Sequence, residues 1–93
     1  MSWAVKFTKK SAKQTAGLPK RVQGALQLLI RDIVAKGPVR GEWPNYGKLG
    51  PGRHHCHLKK GAAPTYVAVW EERDGKIQIV EITYVGTHGK APY

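Results

Sequence analysis

The stretch "TYVAVWEERDGKIQIVEITYV", residues 65–85, decides how this chain folds. Residues 65–71 and 76–85 are rich in β-branched and aromatic types and read as two strands. Between them Asp74-Gly75 is a strong hairpin signal, because both residues tolerate positive φ. The second strand, "KIQIVEITYV", is apolar at nearly every position, which predicts burial on both faces. A hairpin of that kind needs a further layer to cover it.

The layer lies upstream. From Leu18 to Val34, apolar residues Leu18, Val22, Ala25, Leu26, Leu29, Ile30, Ile33 and Val34 recur at three- and four-residue spacing. They form one helical stripe, with Lys20, Arg21, Gln27, Arg31 and Lys36 mostly off it. Pro19 suits a first helical turn, where its missing N–H costs nothing, and Gly37-Pro38 ends the helix. A shorter helix, "KKSAKQTAG", precedes it, with Thr8 as its cap and Gly17 placed for a left-handed end. Before that, "WAVKF" (Trp3–Phe7) alternates like a strand. Residues 37–52 hold five glycines and three prolines and read as a loop rather than a strand, with Trp43 and Tyr46 folded back over the core. A further strand covers residues 53–59. The prediction is a single α+β domain over residues 1–93, ordered β-α-α-β-β-β, with three antiparallel strands packed on a helical hairpin.

Composition narrows the partners. Sixteen Lys and Arg against six Asp and Glu give +10, so a polyanion is the natural ligand. One cysteine excludes an internal disulfide and suits a reducing cytoplasm. The N-terminal residues show no signal-peptide pattern, and no apolar run is long enough to span a membrane, so no membrane partner is expected.

Residues 53–60, "RHHCHLKK", carry the candidate chemistry. On a strand, Arg53, His55, His57 and Lys59 share one face, while His54, Cys56 and Leu58 share the other. The second set is more apolar and should face the helices, with Cys56 as a small buried hydrophobe and His54 a partly exposed bystander at the strand's start. Metal binding fits poorly, since Cys56 points away from His55 and His57, and surplus cations would repel a divalent ion. No metal and no cofactor are expected. Metal-free cleavage of a phosphodiester fits better: imidazoles can act as base and acid, and cations stabilise the phosphoryl charge. Anion binding without chemistry fits the local composition equally well. Downstream, "YVGTHGKAPY" brings His88, Lys90 and Tyr93 back to one end of the sheet.

Taken together, the order of elements, Lys48-Leu49 before the basic strand, and Gly86-Thr87-His88…Tyr93 resemble the RelE/ParE superfamily of toxins from toxin–antitoxin pairs. The resemblance covers nearly the whole chain and is closest to the RelE-like messenger RNA interferases. It implies a toxin that cleaves mRNA on the ribosome without a metal and represses translation. It also implies a cognate antitoxin that is acidic and partly disordered when free. Carried over by position, the family's two strand lysines fall at His55 and His57, its arginine after the glycine turn at His88, and its late tyrosine at Tyr93. These four are the candidate catalytic residues; Arg53, Lys59, Lys60 and Lys90 are the candidate RNA contacts. The family's arginine on the following strand falls at Val67, a departure that removes one phosphate-stabilising cation. Two alternatives stand beside the ribonuclease: a ParE-type inhibitor of DNA gyrase, and an RNA- or antitoxin-binding module that has lost catalysis.

Overall fold

A computed structural model describes residues 2–58 and 64–93. Their order is β1 (Ala4–Phe7), α1 (Lys9–Ala16), α2 (Lys20–Lys36), β2 (Gly47–Gly50), β3 (Arg53–His57), β4 (Tyr66–Asp74) and β5 (Ile79–Thr87), then a 3-10 turn at His88–Lys90. The strands form one sheet in the order β1-β5-β4-β3-β2. Only β1 is parallel to its neighbour, which the helical crossover between β1 and the rest of the sheet allows. The predicted α+β architecture holds, with one strand added. Gly47–Gly50 reads as loop because glycine is poor in strands, yet it pairs with β3 through Gly47↔His55 and Lys48↔His54.

Both helices dock on one face. Thr8 caps α1 by accepting from the Ser11 N–H at 3.0 Å. Ser11 is itself buried, and its hydroxyl donates to the Ile82 carbonyl at 2.6 Å. Gln14 accepts from the Val85 N–H at 3.0 Å, so α1 is fastened to β5 at two points. Gly17 ends α1 in a right-handed conformation, not the left-handed one expected, since its N–H already closes onto the Gln14 carbonyl. Gly37 does take positive φ, 98°, and lies against the indole of Trp3. On α2, Val22, Leu26, Leu29 and Ile33 are buried against Cys56, Leu58, Ala68, Trp70, Val80, Ile82 and Val85. Trp43 and Tyr46 pack on the same core, as their place in a glycine-rich segment predicted.

The hairpin between β4 and β5 forms, but not as a two-residue turn. Residues 75–78 make the connection, Asp74 accepts from the N–H groups of Lys76 and Ile77, and positive φ falls on Gln78 rather than Gly75. Within β5 the register skips Thr83: Val69 pairs with Tyr84, and Trp70 with Ile82. This bulge turns Tyr84 to the open face while Val85 keeps the helix face. Burial on both faces of β5 is therefore confined to its middle, where Tyr84 joins Val67 and Val69 under Leu49 and Ala91. No helix of the described residues is long and apolar enough to cross a membrane.

His54 corrects an expectation. It is 0% exposed and stacks on both Tyr46 and Trp70, at ring distances of 5.9 and 5.8 Å, in a triangle closed by the 6.2 Å between those two rings. Its Nε2 lies 2.8 Å from the Glu72 carboxylate and its Nδ1 2.6 Å from the Tyr46 hydroxyl. An ionised Glu72 can only accept, so the ring donates from Nε2, and in its neutral tautomer accepts the Tyr46 hydroxyl's hydrogen bond at Nδ1. A buried histidine on the apolar face is tolerated because both nitrogens are satisfied. Replacing His54 by leucine should cost about 1–3 kcal/mol, because Tyr46 and Glu72 lose their partner. A urea midpoint equal to the parent's would show instead that this network contributes nothing.

Candidate active site

The open face of β3 presents Arg53, His55 and His57, as alternation predicts. The C-terminal segment crosses that face. The His88 N–H donates to the Thr65 carbonyl at 2.8 Å, and the Tyr84 hydroxyl donates to the Thr87 carbonyl at 2.7 Å, so the start of the 3-10 turn is held from two sides. Ala91 then packs on Val67 and Val69, and this places the last residue over β3. The ring of Tyr93 lies 4.7 Å from that of His55 and 5.9 Å from that of His88, which is 5.5 Å from His57. His57, His88, Tyr93 and His55 thus form one contiguous group of rings.

Burial lowers the pKa of His55, with further lowering from His57 and His88; burial and His88 likewise lower that of His57. Adjacent imidazoles resist carrying positive charge together, so the cluster favours neutral rings able to take up a proton. His55 Nδ1 is shielded and has no hydrogen-bond partner among the described residues. Burial raises the Tyr93 phenol, so its neighbours do not make it a better acid. Burial also pushes the Cys56 thiol up to about 12, in keeping with its expected role as a buried apolar residue. Among the described residues no three His, Cys, Asp or Glu side chains converge as a metal-ligand set.

The expected cations are divided. Arg53 lies 3.7 Å from Glu71, which also binds Arg73, and Arg73 in turn binds Glu81; its charge is shared within this network. Lys90 is exposed on the 3-10 turn. Lys59 and Lys60 lie outside the described residues. Val67 is 0% exposed opposite His57, so no cation projects from that position.

Two glycines of the site have steric roles that the sequence reading did not assign, although Gly86 belongs to the Gly86-Thr87-His88…Tyr93 pattern. Gly47 faces the His55 ring so closely that a Cβ there would sit 3.1 Å from Nε2. A Cβ on Gly86 would sit 2.7 Å from the Tyr84 hydroxyl, in the way of the bond that holds the turn before His88. Each role depends on a cross-strand neighbour or a bulge, which the local sequence does not specify.

A five-stranded mixed sheet with a helical hairpin on one face is the fold of solved RelE toxin structures. The structure is similar to Escherichia coli toxin RelE, a double arginine-to-alanine mutant in the free state, with a TM-score of 0.74 and 16% identity over 97% of this chain and 88% of that one. It is similar to a chain of the toxin–antitoxin complex RelBE2 from Mycobacterium tuberculosis, with a TM-score of 0.67 and 19% identity over 95% of this chain and 100% of that one. It is also similar to a chain of the archaeal RelE–RelB complex from Pyrococcus horikoshii, with a TM-score of 0.65 and 22% identity over 98% and 100% of the two chains. No sequence-family model matches the chain, and no curated protein is similar to it in sequence.

Proposed function

We propose that this chain is the toxin of a toxin–antitoxin pair and cleaves messenger RNA on the ribosome without a metal, held inactive by a cognate antitoxin. The observation that carries the reading is the convergence of His55, His57, His88 and Tyr93 on the sheet face left uncovered by the helices. The fold it shares with a RelE toxin supports the toxin class. Chains of two toxin–antitoxin complexes with the same fold support the antitoxin partner.

A neutral imidazole, His55 or His57, takes the proton of a 2′-OH as the 2′-oxygen attacks phosphorus. The P–O5′ bond breaks, a 2′,3′-cyclic phosphate forms, and another imidazole of the cluster, which must enter protonated, gives its proton to the departing 5′-oxygen. With its raised pKa, Tyr93 serves better to orient His55 and His88 than to donate a proton. Lys90, together with Lys59 and Lys60, would grip phosphates on either side. The buried Val67 favours a second reading, an RNA- or antitoxin-binding module without catalysis.

Primer extension on a message under cell-free translation tests the proposal, comparing the parent with His55→Ala/His57→Ala, His88→Ala and Tyr93→Phe, each checked for folding. New 5′ ends within translated codons, lost in the histidine variants, support it. An intact message removes it and directs the next assay to gyrase supercoiling.

The lowered histidine pKa values set the pH dependence. Cleavage should follow a bell: it rises with pH through an inflection below the ordinary imidazole value of 6.5 as the base becomes neutral, and falls again as the imidazole that serves as acid loses its proton. Stability follows the same sign: the unfolded chain binds these protons more readily, so the fold is weakened as pH falls below about 6.5. A rate that goes on climbing as pH falls well below 6.5 would remove neutral His55 and His57 from the base role.

A further inference from the structure

Between α1 and the β4–β5 end of the sheet lies an open groove of about 440 Å³. That is within the range of roughly 300–1,000 Å³ typical of ligand sites. Lys10 and Lys13 rise along one wall and Lys90 stands on its rim; Tyr66, Tyr84 and Gly86 contribute to its lining. Lys10 and Lys13 are three residues apart on α1, which places both on the same side of the helix. The Gln14 bond to Val85 holds that helix to β5. The Tyr84 ring is fixed by its hydroxyl's bond to Thr87, and glycine at position 86 leaves room for that hydroxyl.

The charge of the groove is uncompensated. None of these three lysines forms an ion pair among the described residues. All six acids of the chain are engaged elsewhere: Asp32 with Trp43, Glu42 with Arg40, Glu71 and Glu81 with Arg73, Glu72 with His54, and Asp74 with the turn after β4. Three ammonium groups around one groove repel one another, and a bound polyanion relieves that repulsion. Lysines beside a half-buried aromatic ring, here Tyr66 and not the buried Tyr84, are also the combination that holds single-stranded nucleic acid, with phosphates on the cations and a base on the ring. Gly86, Thr87 and Lys90 of its lining flank His88 in the chain, which sets this end of the groove beside the ring cluster in sequence.

We infer that this groove binds a stretch of single-stranded RNA, the continuation of the strand whose phosphate lies at the histidine cluster. The inference rests on the ribonuclease reading for the identity of its ligand. It gives α1 a part in substrate binding that its exposed, strongly basic sequence alone does not distinguish from a solvated face.

The test is the salt dependence of binding, read by fluorescence anisotropy with a labelled oligouridylate of about ten 2′-O-methyl nucleotides, which cannot be cut. Each phosphate contact on a single strand contributes about 0.7 to the slope of log K against log salt. Lys10→Gln/Lys13→Gln/Lys90→Gln should therefore lower the slope by about 2. The control Lys20→Gln/Arg21→Gln/Lys36→Gln carries the same change of net charge on α2 and should leave the slope close to the parent's. Equal losses in the two triple variants, no loss in the first, or no RNA binding by the parent would each overturn the inference. So would a polyglutamate peptide that depends on Lys10, Lys13 and Lys90 while the oligonucleotide does not, which would assign the groove to an acidic protein segment. Message cleavage by the parent with an unchanged slope in the first variant overturns the groove alone. Slope-dependent binding by a parent that cuts no message overturns the nuclease reading and leaves the groove as an RNA grip.

Discussion

Cleavage of a translated message should fall by a factor of about 100 or more when His55 and His57 are both changed to alanine, because one positioned proton-transfer group contributes roughly 10²–10⁴-fold. The loss should come without unfolding. Both side chains lie on the open face of β3, half-exposed, and neither belongs to the core between sheet and helices. The backbone pairs of β3 with β4, His55↔Val69 and His57↔Val67, survive the change. His88→Ala should weaken cleavage too, since it removes a ring that touches both His57 and Tyr93. Tyr93→Phe should cost less, because the aromatic ring against His55 is kept and the hydroxyl that is lost, its pKa raised by burial, is a poor proton donor. Full cutting by the folded double variant would remove the histidines from the chemistry and leave the cluster as an anion-binding face.

The largest stability effect should come from Trp70. Its ring is 0% exposed, stacked on His54 and tilted against Tyr46, and its Nε1–H donates to the Pro38 carbonyl at 2.9 Å. One side chain thereby joins β4, β3, the segment after α2 and the approach to β2. Trp70→Ala should cost about 3–5 kcal/mol from the cavity and lost burial. Domains of this size hold roughly 5–15 kcal/mol in total, so the variant stands near the limit of folding. Trp70→Phe keeps most of the apolar contact but strands the Pro38 carbonyl, and should cost less. Urea titration followed by circular dichroism measures both. A Trp70→Ala midpoint within error of the parent's would mean that this junction is not where the core is held together.

Much of this is legible in the local sequence, for physical reasons. The stripe on α2 can be read because burial on one side of a 3.6-residue period forces it. The faces of β3 can be read because strand side chains alternate, so Cys56 and Leu58 go inward while His55 and His57 go outward. The basic balance can be read because charge is a sum over residues, and the gathering of His88 and Tyr93 near β3 is expected only from the family resemblance.

Other features depend on neighbours distant in the chain. Gly47–Gly50 becomes a strand because β3 supplies hydrogen-bond partners, not because glycine favours strands. His54 reads as exposed because histidine at a strand's start is commonly so; its burial requires a tyrosine eight residues earlier and a glutamate eighteen residues later. The skipped residue Thr83, which turns Tyr84 to the open face, arises from the match between β4 and β5 and has no counterpart in the composition of either. The lysines of α1 are part of a basic surface in sequence and become the wall of a groove only when Ser11 and Gln14 fasten that helix to β5. Local periodicity and charge therefore determined which elements form and which faces they bury. Long-range hydrogen bonding and strand register decided which side chains meet, because those energies belong to pairs of residues that the linear sequence keeps apart.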